Sequence, residues 1–128
     1  MIKANELRIG NLVYFNDIIV EIATISNTGE ELNIAYYDSV GMYDYIDIRL
    51  LKPIPLTRER LIRFGFETFQ YGGQGNITNT GTLKDIEVCL IDNTIYRGGS
   101  RAINYKLEYV HQLQNFYFAT ENEELKIK

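Results

Sequence analysis

The chain has 128 residues, 45% of them hydrophobic and 23% charged, with a formal net charge of −4. That length supports one compact domain and excludes two independent domains of ordinary size, and the composition is globular rather than disordered. A single cysteine, Cys89, excludes an intramolecular disulfide and a cysteine-built zinc cage, and the acidic balance disfavours the phosphate backbones of nucleic acids.

The amino terminus, Met1-Ile2-Lys3-Ala4-Asn5-Glu6, has no apolar run behind it, and no stretch approaches the roughly 20 apolar residues of a membrane span. A soluble, cytoplasmic protein without a membrane partner is expected. Residues 1 to 56 hold four Lys/Arg against eight Asp/Glu, whereas residues 57 to 128 hold nine of each. An acidic first part suits a basic protein partner better than a nucleic acid.

In chain order, Leu7 to Phe15 and Ile18 to Ile25 read as strands around Asn16-Asp17, a tight hairpin signal. Asn27-Thr28-Gly29 gives the next turn, Leu32, Ile34 and Tyr36 alternate along a third strand, and Ile46, Ile48 and Leu50 along a fourth. Several short strands closing near Lys52-Pro53-Ile54-Pro55 predict a small antiparallel β-barrel-like (SH3-like) lobe over residues 1–55, with an open curled sheet as the alternative. Pro53-Ile54-Pro55 reads as the hinge, because proline offers no N–H to a ladder and stiffens its predecessor.

A second lobe follows over residues 56–128 within the same single α+β domain. Thr57 reads as the N-cap of a short helix with Glu59 in its first turn, Leu56 is placed to staple against Leu61, and Gly65-Phe66 stop the helix in a Schellman motif. Strands are predicted at Glu67 to Tyr71, Ile86 to Ile91, Thr94 to Arg97 and Ile103 to Leu107, joined by turns at Gly72 to Gly75, Asp92-Asn93 and Gly98-Gly99-Ser100. Val110, Leu113, Phe116 and Tyr117 recur at helical spacing over Tyr109 to Thr120, Asn122 is the left-handed terminator, and a last short strand is predicted over Leu125 to Ile127. The second lobe is thus expected as an antiparallel sheet flanked by two helices.

Three segments also stand out together: Leu7-Arg8-Ile9-Gly10-Asn11, Ile54-Pro55-Leu56-Thr57 running into Leu61 to Phe66, and Tyr109-Val110-His111-Gln112-Leu113-Gln114-Asn115 running on to Glu124-Leu125. In that order they resemble a group of small uncharacterised proteins encoded in phages, prophages and other mobile elements of gut bacteria. The resemblance implies a genomic setting and no reaction, since the group carries no assigned activity. Where that group tends to place glycine after the last helix, this chain has Asn122.

The chemistry-bearing residues are few. His111 is the only histidine, and its helical neighbours Leu107, Gln114 and Asn115 supply neither a nucleophile nor ionised metal ligands. It reads as a helix-surface or interface residue that makes hydrogen bonds. Gln112, Gln114 and Asn115 are amides that suit a partner's backbone, and equally suit the adjacent loops of their own sheet. Gly72-Gly73-Gln74-Gly75 lacks the Lys-Ser/Thr of a phosphate-binding loop. The densest recognition signal is Tyr36-Tyr37-Asp38-Ser39-Val40-Gly41-Met42-Tyr43-Asp44-Tyr45, where tyrosines offer rigid faces with polar tips and the acids select basic partners; core packing of alternate tyrosines is the competing reading.

No catalytic, metal-binding or cofactor-binding set emerges. The expected function is a non-enzymatic accessory protein that binds a protein partner through Tyr36, Tyr37, Asp38, Tyr43, Asp44 and Tyr45, or through His111, Gln112, Gln114 and Asn115. Weak nucleic-acid binding by the barrel-like lobe with Arg58, Arg60, Arg63, Arg97 and Arg101 is the second reading. A small-molecule enzyme with a pocket between the lobes is the third.

Overall fold

The computed structural model describes residues 2, 6–28, 31–37, 43–71, 77–101 and 106–127. They form two antiparallel sheets and two helices, an α+β fold. The chain divides into two compact units, one of residues Met1–Ile54 and Tyr109–Glu124, the other of Pro55–Glu108 and Leu125–Lys128. The break falls within the Pro53-Ile54-Pro55 segment, but the last helix belongs to the first unit. This corrects the expectation that both helices flank the second sheet.

In the first unit, β1 (Leu12–Phe15), β2 (Ile18–Thr28), β3 (Glu31–Tyr37) and β4 (Tyr43–Asp47) run in sequence order as a four-stranded sheet. Asn16 and Asp17 take φ of 50° and 62°, the left-handed pair that a two-residue hairpin requires and that these side chains tolerate. Val13, paired with Val20, is fully buried, and Ile2, Leu7, Ile22, Ile48 and Leu51 complete the cluster. Among the described residues β1 and β4 do not pair, so the sheet is open and no closed barrel forms. The outer side of β1 is met instead by Lys52, which exchanges both backbone bonds with Tyr14.

The expected fourth strand through Leu50 stops at Asp47. Ile48–Leu50 form a 3-10 turn whose start is capped by the Asp47 carboxylate, accepting from the Arg49 N–H at 2.8 Å and from its guanidinium at 2.6 Å. Those bonds lower the Asp47 pKa to about 2. An aspartate that satisfies the next backbone donors offers the chain a turn in place of a ladder.

In the second unit, α1 (Arg58–Arg63) starts as predicted, Thr57 Oγ1 accepting from the Arg60 N–H at 3.3 Å. It ends in the predicted Schellman geometry: Phe66 N–H donates to Leu61 C=O, Gly65 N–H to Ile62 C=O, and Gly65 takes φ of 93°. The five-stranded sheet runs β5 (Glu67–Tyr71), β6 (Ile77–Leu83), β7 (Ile86–Cys89), β8 (Thr94–Arg97), β9 (Ser100–Arg101), in that order. β7 alternates as a half-buried strand should, with Ile86 and Val88 inside and Glu87 outside. It ends at Cys89, two residues short of the predicted limit, and a Leu90–Asn93 turn with Asn93 at φ 58° leads into β8.

β6 was not predicted. Its sequence, Ile-Thr-Asn-Thr-Gly-Thr-Leu, has no apolar alternation, and Asn79 interrupts it at φ 43°. The strand is fixed by packing: a Cβ on Gly81 would stand 3.0 Å from Leu61 Cδ1 and 3.6 Å from Phe66 Cβ, so glycine there lets α1 close on the sheet. The predicted strand over Ile103 to Leu107 falls mostly, and the Gly72 to Gly75 turn wholly, outside the described residues. Leu125 to Ile127 form no strand, although Leu125 is buried. No helix among the described residues is long and apolar enough to cross a membrane.

Because Leu61 is fully buried and has little room to retreat, Gly81→Val is expected to lower unfolding stability by about 1–3 kcal/mol despite valine's higher strand propensity. A urea titration checks this. An unchanged midpoint would mean that the contact does not constrain position 81.

Candidate functional site

The second helix, α2 (Val110–Glu121), carries four of the ten predicted recognition residues, His111, Gln112, Gln114 and Asn115. Val110, Leu113 and Tyr117 are buried at the i, i+3, i+7 positions of one stripe, and His111 and Gln114 are buried beside them. Asn122 ends the helix at φ 57°, the left-handed conformation that asparagine tolerates in place of glycine.

Opposite this face lies the segment from Glu6 to Leu12. Arg8 C=O accepts from the Asn11 N–H at 3.0 Å across a turn whose third residue, Gly10, has φ of 96°, a value that favours glycine. Asn11 Oδ1 accepts from the Arg8 N–H at 2.7 Å and locks the turn, with Asn11 itself fully buried. The turn leaves Gly10 C=O and Leu12 N–H aimed at α2, and one side chain meets both. Gln114 Nε2 donates to Gly10 C=O at 3.2 Å, and its Oε1 accepts from Leu12 N–H at 2.9 Å. The primary amide thus stands where a neighbouring strand would place a peptide group.

Asn115 continues the pattern one residue on. Its Nδ2 donates to Glu6 C=O at 2.7 Å, and its Oδ1 accepts from Asn11 Nδ2 at 2.9 Å. Gln112 turns the other way, its Oε1 accepting from the Tyr109 N–H at 3.0 Å as a helix-start cap. At the far end of the turn, Arg8 pairs with Glu124 at 2.5 and 3.2 Å and lies 4.2 Å from the centroid of the Phe118 ring. The amides assigned to a partner are therefore engaged within the unit, the competing use the sequence left open.

His111 is fully buried, so of the two placements expected for it, helix surface or interface, the surface one does not hold. Its Nε2 lies 3.4 Å from Glu6 Oε2, and its ring stacks on Tyr109 at 6.0 Å. Burial pushes the imidazole pKa below its usual value, and the Glu6 carboxylate opposes that shift without cancelling it. No group of three or more His, Cys, Asp or Glu among the described residues is placed to hold a metal ion.

The tyrosine-acid segment is described at Tyr36, Tyr37 and Tyr43 to Tyr45, and Asp38 lies outside the described residues. The register aligns Leu12, Glu21, Tyr37 and Tyr43 in one row across all four strands, and Ile22, Tyr36 and Asp44 in the next. Directly paired residues share a sheet face. Of these positions Glu21 is exposed and its neighbour Ile22 is 1% exposed, while Ile19, two residues before Glu21 on β2, is 44% exposed. The sequence located the tyrosines but not this register, because pairing is decided between strands and not within one.

No family model, curated protein or solved structure matches the chain.

Replacing Gln114 with alanine is expected to strand Gly10 C=O and Leu12 N–H together, each worth about 1–3 kcal/mol when buried. A double-mutant cycle with Asn11→Ala is expected to fall short of additivity by about 0.5 kcal/mol or more, because the two side chains share one network. Additive losses in urea unfolding would show that the amides act independently.

Proposed function

We propose that the chain is a non-enzymatic accessory factor of a phage or mobile element that binds a basic protein partner through the outer face of its first sheet. The observation that carries this reading is the register that pairs the exposed Glu21 with Tyr37 and Tyr37 with Tyr43, beside the exposed Ile19. Tyrosine contributes contact area at low entropic cost, and an exposed isoleucine beside a carboxylate suits a partner with both apolar and cationic side chains. The strand count and hairpin order that liken this sheet to an SH3-like lobe point to the same face. The genomic setting rests on the resemblance of the three segments described above.

Charge supports the sign of the partner. The first unit holds four Lys/Arg against eleven Asp/Glu, a net −7, whereas the second holds nine against six, a net +3. Favourable long-range attraction of a basic protein is expected at the first unit, weakening as salt screens it.

Comparing wild type with Tyr37→Ala/Tyr43→Ala as bait in a host-lysate pull-down tests the surface. Recovery of the bound protein is expected to fall by about tenfold or more, the loss typical of removing paired aromatic anchors. Identical recovery by both baits would remove the outer face from the reading.

The +3 balance of the second unit favours one other reading, nucleic-acid contact through Arg58, Arg60, Arg63, Arg97 and Arg101, of which Arg58, Arg63 and Arg97 are exposed. On that reading single-stranded DNA retains the protein at low ionic strength and releases it as salt rises. Passage through such a column without delay, even at the lowest salt, would remove it.

A further inference from the structure

His111 is the one buried side chain that titrates near neutral pH where α2 meets the Glu6–Leu12 segment. The groups facing it are the Glu6 carboxylate from the N-terminal segment and the Tyr109 ring from the residue before α2. The other charges bridging the same two stretches, Arg8 and Glu124, neutralise each other. A carboxylate only accepts, so a hydrogen bond to Glu6 places the neutral ring's proton on Nε2. Nδ1 is then an acceptor, and among the described residues it has no hydrogen-bond partner.

A second proton changes this balance. It turns Nδ1 into a buried N–H donor with no acceptor, and it puts a positive charge where water is excluded. Both effects disfavour the packed arrangement. The remaining ties between α2 and the segment are amide–backbone and amide–amide bonds and the contacts of the Arg8 guanidinium with Gln114 C=O and the Phe118 ring, none of which titrates near neutral pH, so His111 alone makes the contact responsive there.

We propose that the packing of α2 against the Glu6–Leu12 segment is an acid-released latch, shut while His111 is uncharged and opened by its protonation. Opening frees the apolar stripe Val110, Leu113 and Tyr117 and the backbone groups of Gly10 and Leu12, so a mild acid shift changes the surface the first unit presents. The sign follows from linkage. A histidine held below its ordinary value is neutral in the closed state at pH values where the open state already takes up a proton. The contribution to closure is complete above about pH 6.5 and declines as pH falls below it.

As the only histidine, His111 gives a single resolved imidazole signal, and a proton NMR titration reads its pKa directly. A midpoint below the ordinary value of about 6.5 is expected, and one at or above it overturns the proposal. Hydrogen exchange at pH 7.5 and 5.5, corrected for intrinsic rates, supplies the structural readout. Protection of the 6–12 and 110–121 amides is expected to fall by up to about tenfold at the lower pH, while that of β7 and β8 holds, because one unit below its pKa the open imidazole is protonated about ten to one and the closed one less so. Equal protection at both pH values, or a uniform loss including β7 and β8, overturns it. Glu6→Gln keeps an acceptor for Nε2 without the charge, and its imidazole midpoint is expected to move further down. A midpoint that rises in this variant contradicts the geometry from which the latch is argued.

Discussion

α2 is joined to the first unit by two side-chain amides that act as surrogate backbone. Gln114 pairs with Gly10 C=O and Leu12 N–H, and Asn115 with Glu6 C=O. Without them the turn of Arg8 to Asn11 leaves peptide groups facing an apolar helix, a burial that costs about as much as a lost hydrogen bond for each group. The turn in turn depends on Gly10, whose φ of 96° suits glycine, and on Asn11, whose side chain closes it. The apolar stripe of α2 supplies most of the burial. The amides fix where along the chain that burial occurs, because each bond demands one partner at one spacing.

The same arrangement explains why segments 100 residues apart in the chain form one unit. Leu7 to Asn11 and Val110 to Asn115 are joined by bonds with sequence separations above 100, and the ion pair of Arg8 and Glu124 repeats that separation. Such contacts carry the larger loop-closure cost, which grows with the length of chain between the partners. The hairpins β1–β2, β6–β7, β7–β8 and β8–β9, with short turns and left-handed Asn16, Asp17, Lys84, Asn93, Gly98 and Gly99 in them, ask for no such closure.

Much of the local structure was legible because local chemistry decides it. Asn16-Asp17 makes its hairpin, Thr57 caps α1, Gly65-Phe66 closes it, and Asn122 stops α2, each through a residue whose preference acts within four positions of itself. What escaped was decided at a distance. β6 is rich in threonine and asparagine, and its place rests on what Gly81 lets approach. Periodicity shows that α2 has an apolar face without saying which sheet receives it. The amide cluster was visible as a composition, but whether it faced a partner or the chain's own loop depended on a turn far away in sequence. A lone histidine on a helix gives no sequence sign of burial, so helix surface and interface stay equally open for His111 until its neighbours are placed.

The partition of charge between the two units bears on how the protein behaves in bulk. The whole-chain isoelectric point of about 5.0 averages a unit with a surplus of seven negative charges and one with a surplus of three positive charges. Near neutral pH, encounters between molecules therefore combine repulsion between like units with attraction between unlike ones. Salt screens both, so the ionic-strength dependence of association follows this partition and not the net charge of −4 alone.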